Sequence, residues 1–447
     1  MAAVTASIYS ARKDRTVSDR CSALARQFPA MLHHDYRALW IAAGMSSATL
    51  WAMLMARAWI ALELTDSGFT VGAVTFAGMI PWLIAPVGGA LADRYDRAKL
   101  IAAAAALQMA LALGLAALSF TGSVEVWHLI IFALLNGALW AGIEQPAFQA
   151  LVPNTVSSAA LMNAILLFGL TPAALGRLIG PIAGGPLLGG IGASWIFVFA
   201  AVLSGLEIVQ LRRIRIRSSG HASGSSRGIA AEIRVSLREA RAFLGVSRQA
   251  RLIIAMVTLH CFFVMGFDAI LPIHARNAFG GDAAVFGTLL IAIGSGAIVG
   301  ILGTSWITSD RGRGAVFFSS GIGSGLGLVL LGVAPTLPIA YVGAALTGAT
   351  GTVFVATAVA SLQEAVPDRI RGGVLAIFLL TAGGIMPVMS FANGAASDVI
   401  STRVLLAAPG AGFVVVFLAW ALVEADLRRM FRTGRPGAPP PEPIAAD

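Results

Sequence analysis

Residues 89–100 read GALADRYDRAKL, a charged knot between two long apolar runs. It holds Asp93, Arg94, Asp96, Arg97 and Lys99, in a chain that is 57% hydrophobic and only 12% charged. Charges are costly within lipid, so so dense a cluster belongs in water at a membrane face. A connection this short cannot stray from that face, which ties its charges to how the flanking helices move or lock.

Working outward, mean hydropathy is +0.82 and apolar stretches of about 20 residues recur along the chain, the length a helix needs to cross a hydrocarbon core of about 30 Å. Fifty glycines fit the same class, since helices that associate in lipid rely on small residues for close backbone approach. Six spans are expected at 36–62, 71–91, 99–120, 127–150, 161–189 and 193–211. Six more are expected at 252–274, 284–307, 315–333, 338–362, 372–396 and 404–423. The expected fold is an all-α integral membrane protein of twelve transmembrane helices in two pseudo-symmetric six-helix bundles. The even count returns both termini to one side.

The side follows from the cations. With residues 1–35 as a cytosolic tail, 27 of the 31 Lys and Arg fall on inner segments, Arg57, Arg177, Arg276 and Arg403 being the exceptions. The leader has no short apolar core with a small-residue cleavage site, so it does not read as a secretory signal. The formal charge of +9 is explained by loops facing anionic lipid and calls for no nucleic acid. The bundles are expected at 36–211 and 252–424, joined by a cytosolic linker, 212–251, and followed by a disordered tail, 425–447, that is Pro-rich toward its end. Within the linker, 220–228 is rich in Ser and Gly, whereas Ile233, Leu237, Ala240 and Leu244 recur at helical spacing beside Arg234, Arg238 and Arg241, as in a helix lying on the inner leaflet. Cys21 and Cys261 are far apart and imply no disulfide framework.

The halves repeat. A shift of 214 residues places Gly89 on Gly303, Asp96 on Asp310, Arg97 on Arg311, Gln149 on Gln363, Val152 on Val366 and Pro153 on Pro367. The copy is degraded, with Ile307 where Asp93 would fall. Such internal symmetry is a mark of transporter folds.

With the repeat in view, the chain resembles the major facilitator superfamily, specifically its drug and siderophore efflux branch. The superfamily's loop between helices two and three reads G-x-L-x-D-R-x-G-R, and Gly89, Leu91, Asp93, Arg94 and Arg97 match it, Asp96 replacing the later Gly. GRLIGPIAGG in span five is similar to the antiporter motif through Gly176, Gly180, Pro181, Gly184 and Gly185, and EQPAFQALVP in span four also looks like this branch. The resemblance implies export. It also implies a conformational latch in which Asp93 pairs with Arg97 and faces the start of span eleven, near Arg369 and Arg371. In physical terms, Gly176, Gly180 and Gly184 line one helix face, while Pro181 removes a backbone donor and bends the helix.

Ionisable residues inside spans are functional candidates by default. Asp268 and Glu144 are the acids for a proton or cation site, their bland readings being a hydrated outer mouth and a structural role near the latch. Arg57 meets a substrate anion, balances an acid or snorkels outward. Arg177 reads as structural, Glu207 as snorkelling at the inner end of span six, and His260 as hydrogen-bonded. Trp40, Trp51, Trp82, Trp127 and Trp195 read as an interfacial belt. No phosphate-cradling loop and no Cys or His cluster with metal spacing is present in the sequence. No enzyme activity, metal or cofactor is therefore expected. The expected protein is a monomeric, multi-pass transporter of the bacterial inner membrane, a proton-coupled exporter of small organic molecules such as drugs, siderophores or metabolites. A nutrient importer, or a non-transporting sensor or assembly protein on the same scaffold, is the alternative.

Overall fold

A computed structural model describes residues 28–171, 176–190, 192–216, 229–304, 307 and 309–434. The leader cations up to Arg26, Cys21, the Ser/Gly stretch and residues 435–447 lie outside them. The described residues carry no strand.

The first half comprises α1 (His34–Thr65), α2 (Gly68–Met79), α3 (Ala85–Arg94), α4 (Arg97–Phe120), α5 (Val126–Leu139), α6 (Gln145–Leu151), α7 (Leu161–Thr171), α8 (Arg177–Gly190) and α9 (Ala193–Arg212). A linker helix, α10 (Ile229–Val246), leads to the second half. That half comprises α11 (Arg248–Phe263), α12 (Leu271–Phe279), α13 (Ala283–Thr304), α14 (Asp310–Val333), α15 (Leu337–Ala365), α16 (Arg371–Ala396) and α17 (Thr402–Val423), and the short α18 (Ala425–Thr433) follows it.

Ten helical stretches among the described residues are long and apolar enough to cross a membrane. The two other expected spans are built from shorter pieces. Between α2 and α3 the chain tightens into a 3₁₀ segment, Ile80–Ile84, with Pro81 and Pro86 removing backbone donors. The span at 161–189 is described as α7 and α8, residues 172–175 between them lying outside the described set. Broken helices are tolerated in membrane proteins where neighbouring helices cover the interruption, and Pro81 is buried.

Within the first half α9 packs on α1 and α4, and within the second α14 packs on α15 and α17. The halves meet along two seams, α2 against α16 and α8 against α13. The molecule thus has a basic face, holding the ends near residues 34, 97, 212, 248 and 371, and an opposite face, holding the turns near 66, 122, 192, 280 and 398.

The knot itself is a tight corner between α3 and α4. Asp96 sits at φ −60° and its carboxylate accepts from the Lys99 N–H at 3.2 Å, making it the N-cap of α4. A glycine is unnecessary at that backbone angle, and a capping carboxylate is worth about 1 kcal/mol. Ser309 caps α14 in the corresponding corner of the second half.

The linker helix departs from expectation. Ala240 and Phe243 are buried, and the Ser236–Ala240 turn lies on Gly373 of α16, with Arg369 reaching Glu239 at 3.9 Å. Part of its apolar side is thus spent on protein, while Val235 and Val246 stay exposed. A helix whose small residues can meet a glycine packs more closely there than it could against acyl chains.

Candidate functional site

On the face opposite the basic one, the halves are joined by backbone as much as by side chains. The carboxylate of Asp398, in the turn after α16, accepts from the Gly68 N–H at 2.5 Å, the Phe69 N–H at 3.1 Å and the Ser67 hydroxyl at 2.9 Å. It therefore caps α2 from the other half of the molecule. Although its partial burial works the other way, these three donors hold the Asp398 carboxyl below the ordinary carboxylate value. Beside it Asp66, in the left-handed region at φ 51°, pairs with Arg276 at 3.2 Å. That pair is exposed and contributes at most about 1 kcal/mol.

The span-five glycines make the second seam. A Cβ on Gly180 would fall 2.9 Å from the Ala48 carbonyl and from the Ala52 nitrogen of α1. A Cβ on Gly287 would fall 2.7 Å from the Gly185 Cα. So Gly176 and Gly180 face α1 within the first half, whereas Gly185 meets α13 of the second half backbone to backbone.

Below these seams lies a narrow cleft of about 50 Å³, between α1, α2 and α16. Leu50, Trp51, Arg57, Thr75, Trp82 and Met386 are among its lining residues. Arg57 is 3% exposed, so it does not snorkel. Its guanidinium donates to the Phe132 carbonyl at 3.2 Å and to Asn136 Oδ1 at 3.4 Å, neutral acceptors, and no carboxylate among the described residues pairs with it. Trp82 stacks toward Trp140 with ring centres 5.7 Å apart. Trp51 and Trp82 therefore belong to the interior rather than to an interfacial belt, while Trp127 and Trp195 are exposed at the far face, as a belt requires. On the other side of Trp51, a narrow niche is lined by Pro181, Asp268, Leu290 and Ile293. Asp268 is 6% exposed and sits where the chain breaks between α11 and α12, away from a hydrated outer mouth.

Residues 25–436 match the family model of the transmembrane secretion effectors. The chain belongs to this family, within the major facilitator superfamily. Among the relatives of this secretion effector, the enterobactin exporter EntS of Salmonella choleraesuis is 25% identical over 410 residues, covering 90% of this chain and 95% of the exporter. The staphyloferrin A transporter of Staphylococcus aureus is 22% identical over 374 residues, covering 83% and 91%. Solved structures agree in fold. The nucleoside transporter NupG superposes with a TM-score of 0.65 at 12% identity, covering 86% of this chain and 99% of that one, and the human organic anion transporter MFSD10 with 0.59 at 15%, covering 86% and 98%. The secretion effector is a multi-pass membrane transporter of small molecules and not an enzyme.

The expected latch residues lie on the basic face. Arg97 donates to the Ala150 carbonyl at 2.7 Å and to Asn154 at 3.2 Å, which fastens α4 to the end of α6. Arg371 donates to the Val366 carbonyl at 3.4 Å, and Arg94 is exposed. The side chains of Asp93 and Arg177 lie outside the described residues, and Gly89 has open space around it. Arg97 and Arg371 thus each reach an acceptor in their own half.

Two carboxyl groups complete the inventory. Glu144 is fully buried and accepts from the Ser46 hydroxyl at 2.5 Å, so α1 holds it directly. Glu207 is also fully buried, which overturns the expectation that it snorkels to water. Its place near the end of span six suggested an escape route, but α9 is covered there by α1 and α4. His260 behaves as expected: its Nε2 lies 3.1 Å from the Ser324 hydroxyl, with the ring against Phe354 and Phe413. Sequence reasoning passed over Asp398 and His274. An acid 330 residues from its partner, or a histidine bonded to Thr402 at 3.0 Å and to the Leu331 carbonyl at 3.3 Å, leaves no local signal.

Proposed function

We propose that the protein exports small organic molecules from the cytosol across a bacterial inner membrane by proton-coupled alternating access, with both termini and the basic face in the cytosol. The observation that carries the reading is the cleft around Arg57, lying between the halves and closed from the opposite face by Asp398 and the Gly185–Gly287 contact. A site between two bundles, with seams that can part on one side and close on the other, is what a rocking carrier requires.

The cleft also suggests the cargo. A buried guanidinium bonded only to neutral acceptors favours a negative charge, and the neighbouring tryptophans favour a flat apolar body. Acidic, aromatic siderophore-like molecules fit that description, in keeping with the names of the two bacterial relatives. The glycine helix against α1 supports export over uptake through its likeness to the antiporter motif.

Everted membrane vesicles energised by respiration test this, with iron-free enterobactin as an acidic probe and ethidium as a cationic one. Accumulation that nigericin collapses is expected. Loss of probe from preloaded vesicles instead would identify an importer, and no flux of either probe a non-transporting protein. Arg57→Gln should lower accumulation of the acidic probe about tenfold while affecting ethidium less; equal losses would remove Arg57 from cargo recognition. Asp93→Asn should slow flux of both probes in a protein that still inserts, and wild-type flux in that variant would remove the latch.

A further inference from the structure

The interior of the first half contains a group of polar atoms for which the fold supplies too few partners. Glu144 ends a π-turn, Trp140–Glu144, that interrupts the helix between α5 and α6. Widening the helix by one residue there re-aims the side chain, and Pro146 on the following turn removes a donor that could re-close the ladder. Such turns recur at functional sites because regular helix is given up to obtain them.

The turned-in carboxyl meets α1 and α4. Ser46 donates to one of its oxygens at 2.5 Å, and the other oxygen has no hydrogen bond. Gln108 of α4 points toward the same carboxyl with its Nε2 unbonded. Glu207 of α9 lies within electrostatic reach of Glu144, and neither of its oxygens is hydrogen-bonded. Ser204, one turn earlier on α9, has an unpartnered hydroxyl as well.

Among the described residues no cation is bonded to these two acids, the side chain of Arg177 on α8 lying outside them. On the elements packed against them, Arg57 is occupied by Phe132 and Asn136, and Arg97 by Ala150 and Asn154. Arg94, Lys99 and Arg212 stand at the basic ends of α3, α4 and α9. His34, Asp35 and Arg37 open α1 at the basic face, Glu63 closes it at the far face, and His128 begins α5 there. Two negative charges within electrostatic reach of each other in an apolar interior cost far more than one negative charge beside a protonated acid.

We propose that Glu144 and Glu207 form a paired-carboxyl site that binds and releases the proton driving transport. The reaction is proton transfer alone: a carboxylate oxygen takes up a proton from water to give the acid, and returns it when the site next meets water. With the proton bound, Ser46 can hold α1 against the pair and the interior stays dry. Without it, mutual repulsion favours the arrangement that hydrates both groups. The same helix carries Arg57 on the cleft and, through Ala48 and Ala52, the contact with Gly180, so a change at the pair reaches both the cargo site and the seam.

This inference rests on the proton-coupled reading, and one experiment separates the two. The full chain is reconstituted in liposomes, and flux of iron-free enterobactin is measured with and without an imposed pH gradient for wild type, Glu144→Gln, Glu207→Gln and Glu207→Asp. The wild type should respond about tenfold or more. The ratio should fall to about one in both Gln variants and recover in part in Glu207→Asp. In parallel, infrared spectra at neutral pH should show a protonated-carboxyl C=O stretch in wild type that either Gln variant removes. A wild type indifferent to the gradient defeats the proton-coupled reading itself. A responsive wild type with equally responsive Gln variants defeats the site alone, as does absence of the band. Where a Gln variant shows no flux in either condition, the band decides.

Discussion

The same corner is built twice in this molecule, with opposite choices about where to put an acid. In the first half Arg97 closes the corner by donating to the carbonyl of Ala150, a neutral acceptor. In the second, Arg313 closes it on the side chains of Glu364 and Asp310, and Glu364 stands 214 residues after Ala150. The interior shows the reverse. Glu144 is buried in the first half, while position 358, at the same offset, is a buried alanine. Glu207 lies in α9, and α17, its counterpart in the second half, has no acidic residue at all. The second half spends its carboxylate at the water's edge, where an ion pair raises the Arg313 guanidinium's hold on its proton. The first half spends two in the dry core. One scaffold therefore carries a stable support and a strained element side by side.

The most drastic way to break this contrast is to give the second half what it lacks. Ala358→Glu should cost about 3–5 kcal/mol, the usual penalty of a buried charge without a partner, read as a large fall in melting temperature in detergent. A variant as stable as wild type would mean that the second interior is already adapted to acid. The converse change should be favourable: Glu207→Met removes two unbonded oxygens and keeps the volume, so it should stabilise by about 1–3 kcal/mol while abolishing the response to a pH gradient. Destabilisation there would show that Glu207 is structural.

The smallest effect is expected at the far face. Asp398→Asn should cost at most about 1 kcal/mol, and hydrogen exchange should speed up at Gly68 and Phe69. Because the folded carboxyl lies below the ordinary value of 3.8, its contribution is fully present above that value and fades as pH falls through the lower folded one. Exchange at α2 that is unchanged in the Asn variant would show that this cap does not hold the two halves.

Much of this was legible in the sequence. Hydropathy marked the ten stretches long and apolar enough to cross a membrane, because burial in lipid demands apolar helix, and the glycine spacing at 176, 180 and 184 announced a close neighbour. The repeat pointed to the two corners. What escaped were properties set by three-dimensional cover. Glu207 looked free to reach water because sequence does not show that α1 and α4 lie across it, and Trp51 and Trp82 looked interfacial because depth in the bilayer does not distinguish lipid from cavity. The π-turn had no composition signal, since it is imposed by packing around Gly142 and Pro146 rather than by propensity. Asp398 needed a partner in the other half of the chain.

The backbone contact of Gly185 with Gly287 has a mechanical meaning. With glycine on both sides, the two helices approach backbone to backbone, closer than any side chain would allow. The clasp formed by Asp398, a catch of three hydrogen bonds, stands at one edge of this bearing. A single added methyl at Gly287 would act as a wedge in that bearing and tilt the resting position of the machine.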